Sequence, residues 1–302
     1  MKKFNLLAII AIIGITASCN HKDNYIPSEN RTKVKFSSSI ITAIPATKAI
    51  DITWEPNDAI GIYMFERNAT TVVEEKSNVK YVTQGGSTNT SFVNSGNIIY
   101  FPDNGDEVRF MSYYPYTNEI TSNIYKVDVS SQTSQKDIDL LYSFKEDGYY
   151  SKATPGKTIP LTFEHKLTKI IINVKSGEGI DAEDLETLQV GFTGLNTQAD
   201  FDLINGSLTN LSEVAAIEPK NASPKDGYQV GYEAIVLPTT EIEGAKIVFT
   251  LNSEDEFSWD FNKALAQSTK YTFNVTINRS GIVVVATIKE WLNGGEEDID
   301  AE

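Results

Sequence analysis

The stretch TKVKFSSSIITAIPATKAIDITWEPNDAIGIYM, residues 32–64, decides how the rest of the chain is read. Up to about Ala43 it alternates, with Val34, Phe36, Ile40 and Ile44 on one parity and Lys33, Lys35, Ser37 and Ser39 on the other. A period of two with one apolar face is a half-buried strand. Ile44-Pro45-Ala46-Thr47-Lys48-Ala49 follows, a proline-containing segment with a lysine among small residues. It reads as an exposed loop open to a protease specific for basic residues. Trp54, Asp58, Ile60, Gly61, Ile62 and Met64 then begin a second strand. The expectation is an edge strand tied to the body by a cleavable loop.

The composition agrees with an all-β chain. Fourteen Tyr and fourteen Phe accompany many Thr, Val and Ile, with Gly and Asn between the runs. At 302 residues there is material for one large domain or two. The formal net charge is −15. It becomes about −17 once a leader carrying Lys2 and Lys3 is removed. Phosphate contacts need clustered Lys and Arg, so no nucleic-acid partner is expected. One cysteine, Cys19, excludes an intrachain disulfide, and two histidines, His21 and His165, leave little for a metal site or a catalytic triad. No cofactor, metal or catalytic residue is assigned.

Lys2 and Lys3 precede an apolar run from Leu6 to Ile15 that ends in Thr16-Ala17-Ser18-Cys19. A basic start, a short apolar core and small residues make 1–18 a signal peptide, too short to stay as a membrane span. Small residues before a sole cysteine resemble the bacterial lipobox. That resemblance implies that Cys19 is acylated and becomes the mature N-terminus, holding the protein to the outer membrane by two or more acyl chains. A plain secretory leader with an incidental cysteine is the alternative. Residues 19–30 are polar and read as a flexible tether.

Strand signals recur along the body. They fall at Ala59 to Glu66, Val79 to Thr83, Thr90 to Val93, Asn97 to Phe101 and Val108 to Tyr116, with turn clusters between them. Leu161 to Val174 reads as one long strand with a buried centre at Ile170 to Ile172. Asp181 to Leu188 is the best local helix signal, with acids near its start. Tyr271, Phe273, Val275 and Ile277 alternate with Thr272, Asn274 and Thr276, and an Asn278–Gly281 turn leads into Ile282 to Ile288. Four clusters admit a chemical reading beside a structural one. Asp103 to Glu107 is a hairpin turn or a calcium loop. Tyr113, Tyr114 and Tyr116 are strand packing or a sugar-stacking platform. His165 is a packed histidine or a catalytic one. Asp181, Glu183 and Asp184 begin a helix or ligate a divalent ion.

Several blocks, in order, resemble the fimbrillin family, the pilus subunits of Bacteroidetes. They are the strand, T-K-A loop and W-x3-D-x-I-G of the opening stretch; I-x-Y-F-P at Ile98 to Pro102 with V-x-F-x-x-Y-Y-P-Y at Val108 to Tyr116; L-T-F-E-H-K-L-T-K-I at Leu161 to Ile170; and Y-T-F-N-V-T-I-N at Tyr271 to Asn278, ending at Trp291. The resemblance implies two tandem β-sandwich, transthyretin-like domains, 31–160 and 161–302, and assembly into type V pili at the cell surface. It implies cleavage at Lys48, with Ala49 as the new N-terminus and loss of the strand bearing Val34, Phe36, Ile40 and Ile44. The strand donated by the next subunit is then the C-terminal one, here Ile282, Val283, Val284, Val285 and Ile288. Four buried apolar side chains at about 1.5–3 kcal/mol each set an upper bound of about 6–12 kcal/mol on such a joint. Partners follow: other pilin subunits in a homo- or hetero-polymer, the outer membrane through the lipid on Cys19, a basic-residue-specific protease, and a receptor on a host or bacterial surface. Two rivals share the leader and the β-fold: a tip or anchor fimbrial lipoprotein that does not polymerise, and a surface glycan-binding lipoprotein using aromatics near Tyr113.

Overall fold

The computed structural model describes residues 31–40, 53–86, 89–94, 96–240, 243–252, 255–260 and 264–290. Cys19, Ile44, Lys48, Ala49 and Trp291 lie outside them. The first eight strands are β1 (Lys35–Ile40), β2 (Ala59–Glu66), β3 (Val79–Thr83), β4 (Asn89–Val93), β5 (Val108–Tyr114), β6 (Ile124–Asp128), β7 (Leu141–Phe144) and β8 (Thr158–His165). Seven of them form a closed barrel in the order β1-β4-β3-β2-β5-β7-β8, with β8 returning to β1.

Parity explains the barrel. On β2, Ile60, Ile62 and Met64 join the core that holds Phe36 and Phe110, whereas Tyr63 and Phe65 join the core of the following strands. On β5, Phe110 and Tyr114 belong to the first core, Met111 and Tyr113 to the other. Both strands are covered on two faces. Their sequences therefore read as nearly unbroken apolar runs instead of clean alternation.

Ten further strands follow: β9 (Thr168–Ser176), β10 (Gln189–Thr193), β11 (Asn196–Asp202), β12 (Ser207–Val214), β13 (Lys220–Ala222), β14 (Val230–Val236), β15 (Lys246–Leu251), β16 (Asp255–Asp260), β17 (Thr269–Asn278) and β18 (Gly281–Glu290). They make a five-stranded sheet, β13-β14-β9-β17-β18, and a three-stranded one, β10-β15-β16. A third sheet, β12-β11-β6, takes β6 from the earlier half of the chain. β17 alternates buried and half-buried over all ten residues, as its period of two requires. The described residues from Thr32 onward pack as one unit.

Four expectations need correction. The opening strand is not at an edge, because β1 has a partner on each side: β4 antiparallel and β8 parallel. The run Leu161 to Val174 is two strands: β8 ends at His165 in the barrel, and β9 starts at Thr168 in the five-stranded sheet. The intervening Lys166 gives its N–H to the Leu140 carbonyl at 2.8 Å, which turns the chain between layers. Asp181 to Leu188 is a short 3-10 helix, Ala182–Thr187, instead of an α-helix, with a capping box between Asp181 and Asp184. Asn97 to Phe101 is not a strand in its own right. It lies beside the lead-in to β1, with Val34 N–H donating to Ile99 O and Phe101 N–H to Thr32 O, both at 3.0 Å.

Candidate functional site: the channel of the first strand

Val34, Phe36 and Ile40 point into the barrel and are 0%, 1% and 6% exposed. The ladder with β8 runs from Lys35 opposite Thr158 to Ile40 opposite Phe163, and the ladder with β4 from Phe36 opposite Phe92 to Ser39 opposite Asn89. Two groups of rings line the interior. The Phe36 ring meets Tyr81 and Phe110 edge-on at centroid distances of 5.1 and 5.2 Å. Trp54 meets Phe92, Tyr114 and Phe163 at 5.2–5.3 Å. Such edge-to-face pairs add about 0.5–1.5 kcal/mol each beyond burial. Burial pushes the Tyr81 phenol up to about 12, and its oxygen accepts the Ile99 N–H at 3.0 Å. Ser38 is also inward-facing and buried, and its hydroxyl has no hydrogen-bond partner among the described residues.

A strand inserted between two others can leave only by breaking two ladders, and its departure leaves two open sheet edges facing an apolar channel. Beside Ile40, the last residue of β1, a cavity of about 360 Å³ is lined by Thr53, Trp54, Glu55, Asp58, Tyr114, Lys136, Asp139, Lys169 and Glu233 among others. Lys136 reaches Glu55 at 2.9 Å and buried Lys169 reaches Glu233 at 3.0 Å. Asp58 accepts the Glu55 N–H at 2.7 Å, and burial raises its carboxyl above the ordinary value. The sequence reading missed this cavity, because its residues come from separate strands and loops and share no spacing.

The candidate donor, β18, is the edge strand of the five-stranded sheet, paired only with β17 among the described residues. Ile282, Val284 and Ala286 pack against the larger core. Val283, Val285 and Ile288 are 55%, 48% and 40% exposed.

The other clusters sit in a turn, in strands and at the start of a short helix. Tyr113 and Tyr114 are buried, with the Tyr113 hydroxyl 2.7 Å from Asn78 Oδ1 and the Tyr114 hydroxyl donating to Asp58 at 3.4 Å. These two rings offer no sugar-stacking face; Tyr116, the third of the group, is half-buried with Lys80 Nζ 5.2 Å from its ring centroid. His165 is 2% exposed, with Nδ1 2.9 Å from Asp139 Oδ1. Asp103 to Glu107 is a turn closed by Gly105 N–H to Pro102 O at 3.1 Å. No group of three or more metal-ligating side chains occurs among the described residues.

The all-β fold, with its first strand held between two ladders, is similar to that of solved cell-adhesion proteins. A fimbrillin-like family model matches residues 47–291, and the chain belongs to that family of fimbrial and cell-adhesion proteins. A candidate fimbrium subunit, Fim1C, of Bacteroides uniformis is 32% identical over 316 aligned positions, covering 100% of both chains. A candidate fimbrium tip subunit, also Fim1C, of Bacteroides ovatus is 24% identical over 76% of this chain and 46% of its own. The crystal structure of a candidate cell adhesion protein from Bacteroides uniformis, 30% identical, superimposes with a TM-score of 0.73 over 88% of this chain and 100% of that one.

Proposed function

We propose that this chain is exported as a lipoprotein anchored through Cys19, is cut at Lys48, loses β1, and joins its neighbours in a fimbria by strand exchange. The observation that carries the reading is the position of β1, inserted between β4 and β8 in a closed barrel directly before the segment containing Lys48. While β1 is seated, the channel is filled and the subunit stays monomeric. Removal of β1 frees two ladders at once, and an extended segment of another subunit restores both. The role is structural and adhesive instead of enzymatic, and the sites are the outer membrane and the fimbria. Of the proposed modules 31–160 and 161–302, the first holds most of the barrel core, but the barrel strand β8 runs on to His165 and residues such as Tyr63, Met111 and Tyr142 of the first module belong to the larger core. The test is to treat the purified precursor with a basic-residue-specific protease. Expected are a new N-terminus at Ala49 and ladders on a gel that collapse on boiling. A cut product that stays monomeric counts against the reading.

A second reading is favoured by the relative described as a tip subunit. A tip subunit accepts a strand and ends the fibre without donating one. Counting copies per sheared fibre separates the two, since a tip contributes one and a stalk many.

A further inference from the structure

We infer that the cavity beside Ile40 is a binding site for a neutral, polyhydroxylated ligand the size of a single sugar ring, held through hydrogen bonds from its hydroxyls to Trp54, Asp58 and Tyr114. The site is independent of strand exchange, because it is complete in the uncut chain.

Two layers build the cavity. Trp54, Asp58 and Tyr114 come from the barrel side, Lys169 on β9 and Glu233 on β14 from the five-stranded sheet. Its volume of about 360 Å³ lies at the small end of ligand pockets, which run from about 300 to 1,000 Å³.

Most of the charge in the wall is already matched. Lys136 pairs with Glu55 at 2.9 Å, Lys169 and Lys220 flank Glu233 at 3.0 and 4.0 Å, and Asp139 meets His165 at 2.9 Å. Two groups are left wanting. Trp54 is 2% exposed, and its indole N–H is buried with no hydrogen-bond partner among the described residues. The Asp58 carboxylate accepts the Glu55 N–H at 2.7 Å but takes the Tyr114 hydroxyl only at 3.4 Å. A buried donor without an acceptor and a desolvated carboxylate short of donors both cost free energy.

These demands select the ligand. Trp54 requires an acceptor and Asp58 a donor, and a hydroxyl is both. An ammonium group cannot accept from the indole, and a carboxylate ligand is repelled by Asp58. Thr53, Thr133 and Ser134 add hydroxyls to the wall, which suits a ligand with several such groups. The ligand is gripped by its polar groups and not by stacking, since the Trp54 ring already packs edge-on against Phe92, Tyr114 and Phe163.

The three tryptophan indole N–H signals of the isotope-labelled, uncut chain read the site by NMR. The Trp54 signal is the one that survives in both Trp259→Phe and Trp291→Phe. The probes are galactose, glucose, mannose and N-acetylglucosamine, each to about 20 mM to cover millimolar affinities, with acetate and methylammonium as charged counterparts. At least one of the sugars is expected to shift the Trp54 signal saturably, and neither charged probe to do so. Asp58→Asn is expected to weaken that sugar by at least about tenfold, and Tyr114→Phe, which removes only a hydroxyl, by about threefold. No shift from any of the four sugars means that the cavity holds water only and overturns the inference. A shift from acetate or methylammonium alone overturns the ligand class. A sugar response that both substitutions leave unchanged places the sugar elsewhere and overturns the site.

Discussion

Phe36→Ala separates the precursor from the assembled fibre. The Phe36 ring is 1% exposed and packs edge-on against Tyr81 and Phe110 at 5.1 and 5.2 Å. Truncating a buried phenylalanine costs about 3–5 kcal/mol, the sum of lost transfer free energy and the cavity left behind. Against a total stability of about 5–15 kcal/mol, that is a large share. With a urea slope of about 2–3 kcal/mol per molar, the precursor midpoint falls by about 1–2 M. Once β1 has been cut away, residue 36 is no longer in the subunit. The same substitution must then leave the stability of the processed polymer unchanged. Urea titration of both forms, followed by tryptophan fluorescence, reads this directly. A polymer weakened as much as the precursor means that β1 stays in place, and the reasoning fails.

Ser38→Ala removes a buried hydroxyl without a partner among the described residues, so the precursor gains about 1 kcal/mol and exchanges its strand more slowly; an unchanged midpoint and rate in a denaturation and assembly series contradict this. Lys48→Gln blocks processing, leaving a monomer that begins at Cys19, as intact mass shows; continued assembly at the normal rate places the cut elsewhere. Alkali tests the buried tyrosines: burial pushes Tyr63 and Tyr81 up to about 12 from an ordinary 10.0. The folded state keeps protons that the unfolded chain releases, so stability is full below about pH 10 and drops through pH 10–12 by about 2–3 kcal/mol per ring. Absorbance titration near 295 nm that finds all tyrosines ionising near 10 in the folded protein refutes the burial.

The strands were legible where a single face is buried. β17 shows a period of two from Thr269 to Asn278, and its register follows from that alone. The closure of the barrel was not legible, since it depends on β1 meeting β8 in parallel across about 120 residues of chain, a pairing no local pattern encodes. That is why Val34, Phe36 and Ile40 were recognised as a buried face while their strand was assigned to an edge. Leu161 to Val174 misled in the opposite sense. Its apolar residues continue across Lys166 and Leu167 because Leu167 is itself buried, so nothing in the pattern marks the crossing from one sheet to the next. Tyr113 and Tyr114 show a related limit: amphipathic rings look alike in sequence whether they face solvent or, as here, lie between layers with their hydroxyls paired.

The account turns on the removal of β1, and the N-terminus of the protein sheared from the cell surface tests it most directly by mass spectrometry. A chain starting at Ala49, recovered in ladders that collapse on boiling, is the predicted result. A chain that still begins at acylated Cys19 and runs as a monomer contradicts it.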